Sequence, residues 1–137
     1  NILVVGSGLS GAISALTAAE ENKKVVLITN SNTLFSGNTP WAQGGIAYSG
    51  EGDSINKFTE DIYTAGGNHN YKPAVKQLVK QGPKLIEKLL FQKYHIPFEK
   101  DKNNQLVFTS EAAHTINRII HCKDTTGLTI HQQIIDF

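Results

Sequence analysis

The chain has 137 residues, 39% of them hydrophobic and 18% charged, and its 13 Lys+Arg against 12 Asp+Glu leave a formal net charge of +1. The near-neutral balance, with basic residues read as scattered, excludes the electrostatic footprint of a dedicated nucleic-acid binder, and no apolar run approaches the roughly 20 residues that cross a bilayer. The apolar start at Ile2 to Val5 runs into glycines instead of a signal-peptide core, so a cytoplasmic protein is expected, and the single cysteine, Cys122, reads as a packed, inert thiol.

The sequence contains no Met and opens at Asn1 directly on a strand, while the stretch Leu128 to Phe137 stops with no glycine, proline or basic turn to close a helix. These open ends predict that residues 1–137 are the N-terminal portion of one domain, cut from a longer chain.

Ile2-Leu3-Val4-Val5 is an uninterrupted apolar run, the pattern of a strand buried on both faces of a parallel sheet. Gly6-Ser7-Gly8-Leu9-Ser10-Gly11 follows as G-x-G-x-x-G, and Ala12, Ile13, Leu16 and Ala19 then recur at helical spacing. The first glycine permits a tight turn, the second lets backbone approach a pyrophosphate, and the third lets helix and strand pack closely. Backbone N–H groups and the positive end of the helix dipole then face the phosphates. Val25 to Ile28 completes β-α-β, a context in which a chance glycine triplet is the weaker reading. Where the fingerprint usually has an acidic ribose ligand, this chain has Thr29-Asn30-Ser31. An amide or hydroxyl there can bond a ribose, but the departure argues against a generic NAD dehydrogenase.

Ser36 to Ala47 is too rich in glycine and small polar residues for a helix and too irregular for a strand, and reads as an extended loop. Its N–H donors, close backbone approach and single aromatic face suit a planar redox ring.

Further along, Asp53 or Ser54 is placed to cap a helix bearing Ile55, Phe58 and Ile62, which Gly66-Gly67 ends. Pro73 opens a second helix with Ala74, Val75, Leu78 and Val79, and after Gly82-Pro83 a third carries Leu85, Ile86, Leu89 and Leu90. All three read as packing elements. Ile96 to Glu99 and Gln105 to Thr109, joined by Asp101-Lys102-Asn103-Asn104, predict a hairpin. The stretch Glu111 to His121 concentrates ionisable groups between apolar residues, blandly a partly solvated face. It has no H-E-x-x-H or comparable spacing, so no metal site is expected.

Together these residues give the chain a resemblance to the flavoproteins of the succinate dehydrogenase, fumarate reductase and L-aspartate oxidase group. In that group S/H-T-x-x-A-Q-G-G wraps FAD, and Asn38-Thr39-Pro40-Trp41-Ala42-Gln43-Gly44-Gly45 stands in its place here. The resemblance implies an α/β, Rossmann-like FAD-binding domain with a parallel sheet, represented by its N-terminal part without the capping domain. The respiratory members carry a flavin-linked histidine before the threonine; Asn38 cannot form that bond, so non-covalent FAD is implied. Gly6 to Gly11, Asn30 and Asn38 to Gly45 are the implied cofactor residues.

Within the group, the L-aspartate oxidases have E-G-G-H-x-x-x-R-I-x-H followed by D-x-T-G, matched here by Glu111, His114, Arg118, Ile119, His121, Asp124, Thr126 and Gly127, with Ala112 and Ala113 replacing the two glycines. An apolar residue takes the place of Glu111 in the respiratory branch. The resemblance therefore makes Glu111 the group that meets a substrate ammonium, an interaction worth roughly 1.5–3 kcal/mol. Arg118 is read as scaffold or a local ion-pair partner, with the catalytic arginine and histidines beyond Phe137. The implied activity is oxidation of L-aspartate to iminoaspartate for quinolinate and NAD synthesis. Oxygen or fumarate would be the electron acceptor and quinolinate synthase a downstream partner, with no nucleic-acid or membrane partner; the fragment by itself is expected to be inactive. The rival expectations are a soluble fumarate reductase or succinate dehydrogenase flavoprotein, and a non-catalytic nucleotide-binding module.

Overall fold

The computed structural model of the protein describes residues 1–111 and 113–137. In chain order the elements are β1 (Ile2–Val5), α1 (Leu9–Glu20), β2 (Val25–Ile28), a single 3-10 turn (Thr39–Trp41), β3 (Ile46–Ala47), α2 (Ile55–Ala65), α3 (Lys72–Leu85) with a π-helical continuation (Ile86–Lys93), β4 (Ile119–Ile120) and α4 (Thr126–Ile135). The chain divides into two compact units, residues 1–43 with 125–137 and residues 44–124.

In the first unit β1 and β2 pair in parallel, from Ile2 with Val25 to Val5 with Ile28, and α1 is the crossover between them. Period-two alternation turns Val4 towards α1, where it approaches Gly11. The alternate residues are not buried as the continuous apolar runs predict: Leu3 is 62% exposed, Val5 75% and Val26 58%. One helix covers one face of the pair, so the expected burial on both faces is halved. Ala12 anchors the covered side, and Ile130, His131 and Ile134 bury one face of α4.

In the second unit Phe58, Val75 and Val79 form a core with Ala47, Ile62 and Tyr63 packed against it. Ser54 caps α2, its hydroxyl accepting the Lys57 N–H at 3.2 Å, and Gly66 and Gly67 end the helix as expected. The helix break anticipated at Gly82-Pro83 does not occur. Pro83 lies inside α3, and the chain continues as a π-helix in which Tyr94 N–H donates to the Leu89 carbonyl, 2.8 Å away. Proline removes one donor, but Val75, Val79, Ile86 and Leu90 all lie on the buried side, and keeping one apolar stripe in the core outweighs that loss. Leu78 and Leu85, expected on packing faces, are about half exposed.

The basic residues are also less scattered than their count implies, because Lys72, Lys76, Lys80, Lys84 and Lys88 recur at four-residue spacing on exposed positions of this helix. The predicted hairpin is reduced to a bridge between Lys100 and Leu106. Ile46–Ala47, expected within a loop, forms β3 and pairs antiparallel with β4. Among the described residues no helix is long and apolar enough to cross a membrane.

Candidate functional site

In the first unit the glycine turn behaves as its spacing predicts. Gly6 adopts φ +101°, a region that favours glycine, and nothing lies within 4 Å of where a Cβ would project. At Gly11 a Cβ would run into the Gly6 carbonyl, with the carbonyl carbon 2.9 Å away, so this glycine lets α1 pack against the turn. Gly8 precedes α1 without a side-chain cap, and the first turn of the helix holds no acidic residue. The Thr39 hydroxyl accepts the Leu9 N–H at 3.2 Å. A helix start whose N-cap residue, Gly8, carries no side chain and whose first turn holds no acid, next to the open space at Gly6, fits an anionic phosphate group. Asn30 is exposed at the end of β2, and Asn38 and Trp41 are exposed around the 3-10 turn.

Three residues outside the implied cofactor set hold this region. The Gly127 N–H donates to the Ala42 carbonyl at 2.8 Å, and a Cβ on Gly127 would lie 2.8 Å from both the Ala42 Cβ and its carbonyl oxygen. The Thr126 hydroxyl donates to the Gln43 carbonyl at 3.3 Å. His131, fully buried, donates from Nε2 to the Ser7 carbonyl at 2.7 Å, and its buried Nδ1 has no partner among the described residues. The D-x-T-G spacing signals Thr126 and Gly127; nothing in the local sequence signals His131.

In the second unit Gly44 and Glu111 meet. A Cβ on Gly44 would meet the Glu111 carboxylate, whose Cδ lies 2.9 Å from that point, so the acid in this position rests directly against the glycine. Gly45 has φ +121° and packs against Ile119 and the Ile120 carbonyl. Ala112 lies outside the described residues. Ala113 sits at φ +75°, the left-handed conformation that suits the glycine it replaces in the family pattern and costs an alanine roughly 1–2 kcal/mol.

Behind Glu111 lies a buried charge network. Arg118 is fully buried, whereas Glu111, Ala113, Thr115 and Asn117 are exposed, so the stretch is a partly solvated face with a buried arginine, and among the described residues no helix forms there. The guanidinium grips Asp53 with Nε at 2.8 Å and Nη2 at 2.9 Å. Its Nη1 donates to Asp61 at 2.5 Å and to His114 Nδ1 at 2.7 Å. Because arginine only donates, His114 Nδ1 must be the unprotonated nitrogen. The Phe58 ring lies 4.6 Å from the guanidinium carbon, a cation–π contact.

Burial pushes Asp61 up, but the Thr115 amide, the Arg118 guanidinium and the Thr115 hydroxyl outweigh it and hold the carboxyl below its ordinary value. Asp53 is lowered in the same way, burial being outweighed by Arg118 and by the Ser54 and Gly50 backbone groups. The hydrogen bonds that Arg118 donates to Asp53, against burial and with Asp61 adding to them, raise its own pKa further.

His121 lies apart from this network, its Nδ1 3.7 Å from Glu99 Oε2. Burial, helped by Glu99, pushes the Cys122 thiol up to about 11. Among the described residues no three His, Cys, Asp or Glu side chains are grouped to hold a metal ion.

A helix behind G-x-G-x-x-G on a parallel β-α-β unit defines a dinucleotide-binding fold. A family model described as FAD binding domain matches residues 1–136, and the chain belongs to that family, whose cofactor is FAD. Among curated relatives, L-aspartate oxidases are 38% identical over 138 residues in Nostoc sp. and 35% over 136 residues in Clostridium perfringens, each match covering 99% of this chain. The chain spans only 23% and 30% of those two proteins. Among solved structures, a mutant E. coli quinol fumarate reductase superposes with a TM-score of 0.90 at 22% identity, covering 99% of this chain and 23% of its own. The Mycobacterium smegmatis Sdh1 complex in the apo form gives 0.87 at 23% identity, covering 98% and 23%. These structures share the fold.

Proposed function

We propose that this chain is the FAD-recognising part of an L-aspartate oxidase that converts L-aspartate to iminoaspartate. The observation that carries the reading is the Glu111 carboxylate lodged against Gly44 of the A-Q-G-G stretch. L-aspartate oxidases from several organisms at 32–38% identity support it. Gly6, Ser7, Gly8, Leu9, Ser10 and Gly11 receive the pyrophosphate through backbone N–H groups and the start of α1. Asn30 meets the ribose. Asn38, Thr39, Pro40, Trp41, Ala42, Gln43, Gly44 and Gly45 border the ring system, and the amide of Asn38, which is no nucleophile, leaves the cofactor non-covalent.

When bound, FAD supplies a two-electron acceptor for the hydride leaving the substrate Cα. Glu111 contributes a carboxylate for the α-ammonium, and so favours an amino acid over its amine-free analogue. The substrate carboxylates are met by residues of the longer protein, and oxygen or fumarate restores the oxidised cofactor. Passing the product on to quinolinate synthase fits the same reading.

The test is Glu111→Gln in the full-length protein. Loss of one charge-assisted contact predicts a KM for L-aspartate raised roughly ten- to hundredfold, with the inhibition constant of succinate little changed. Equal changes for both ligands, or none, contradict the assignment and favour a respiratory-type flavoprotein.

A further inference from the structure

Glu111 sits on a loop tied at its base, where Thr109 and Ile119 exchange backbone hydrogen bonds of 2.9 and 3.0 Å. Above that bridge the described loop makes one internal turn, His114 N–H donating to the Glu111 carbonyl at 3.1 Å. Arg118 anchors the end of the loop to Asp53 and Asp61 and its carbonyl accepts the Tyr48 N–H, while nearer Glu111 the His114 ring lies beside Phe58 and Thr115 makes hydrogen bonds of its own. The Thr115 amide and hydroxyl both donate to the Asp61 carboxylate, at 2.9 Å for the amide and 3.0 and 3.1 Å for the hydroxyl. The same carboxylate is fixed by Arg118, which also holds His114. Between Glu111 and Thr115 lies Ala113 in its left-handed conformation, a strained state that persists only when its surroundings over-determine it.

We propose that Asp61 and Thr115 are positioning residues for substrate selection: their hydrogen bonds fix the loop so that the Glu111 carboxylate is held against Gly44, ready to receive an ammonium group. The inference rests on the reading of Glu111 as the ammonium-binding residue. Asp61 reaches the loop from α2, 54 residues before Thr115, and its carboxylate accepts from Thr115 and Arg118, neither of them an implied cofactor residue. Without the Thr115 bonds the loop keeps its base at Thr109 and Ile119 and the hold of Arg118 on His114, but Thr115 itself is released. The ammonium contact then costs the ordering of several residues at each binding event.

Removing Asp61 would strand the buried Arg118 and threaten folding, so the test uses Thr115→Val, which deletes the hydroxyl donor at nearly constant volume and spares the Asp61–Arg118 pair. Four full-length holoenzymes are compared: the wild type, Glu111→Gln, Thr115→Val and Thr115→Ser. The readouts are KM for L-aspartate, the inhibition constant of succinate, flavin content and melting temperature.

The expected result for Thr115→Val is a rise in KM for L-aspartate of roughly three- to tenfold. Succinate inhibition should stay within about twofold and flavin content unchanged, with recovery in Thr115→Ser. A Thr115→Val protein that binds L-aspartate like the wild type, while Glu111→Gln does not, overturns the positioning role alone. So does parallel weakening of both ligands. A wild type that does not oxidise L-aspartate, or a Glu111→Gln that loses no selectivity, overturns the functional reading on which the inference rests.

Discussion

Gly11 shows most directly how one residue type can be dictated by packing. A methyl group there meets the Gly6 carbonyl, which is backbone and cannot swing away. Gly11→Ala is therefore expected to push α1 off the turn, destabilise the protein by about 1–3 kcal/mol and lower the bound flavin of the full-length enzyme. The ratio of flavin to protein absorbance, read beside a thermal melt, checks both. The turn was legible because the need for three glycines is written as spacing. Ala113 was not, since alanine carries no mark of positive φ; only the family's glycine at that place hints at the geometry the structure adopts. His131 was illegible for another reason: its bond to Ser7 spans 124 residues of sequence.

At the scale of elements, the Arg118 network ties the loop after Thr109 and the segment before α2 to that helix. Both carboxylates titrate below their unfolded value of about 3.9. Groups with depressed folded pKa values stabilise the fold fully above the unfolded value, and that stability is lost as pH falls through the folded values. The protein should thus lose stability below about pH 4. Arg118→Met should cost about 3–5 kcal/mol at neutral pH by leaving two buried carboxylates uncompensated. It should also weaken the acid dependence, since Arg118 no longer lowers the two carboxyls while the bonds from Thr115, Ser54 and Gly50 remain. Denaturant unfolding of both proteins from pH 7 to pH 3 distinguishes the cases, and an unchanged slope in the variant would contradict the account.

Sequence reading found α1, α2 and α3 by their periodicity but not α4, and it placed a break at Gly82-Pro83, where local propensity and core burial disagree and burial prevails. It identified Arg118 as a possible ion-pair partner without finding Asp53 and Asp61, because pairs 65 and 57 residues apart leave no local pattern.

At the scale of the molecule, the chain passes between its two compact units after Gln43 and again after Asp124. The α/β class and the parallel β-α-β start were legible, since strand, glycine turn, helix and strand follow in fixed order. The exposure of Leu3, Val5 and Val26 was not: an apolar run signals that a face is to be covered without saying by what. The family is FAD-binding across residues 1–136, and the chain spans 23% of the L-aspartate oxidases of Streptomyces coelicolor and Nostoc sp..

The most direct measurement is anaerobic mixing of the purified full-length protein with L-aspartate while flavin absorbance is followed, with succinate in a parallel cell. The account predicts a flavin that leaves the protein on denaturation and is bleached by L-aspartate but not by succinate. Bleaching by succinate alone, or a protein that takes up no FAD, would contradict it.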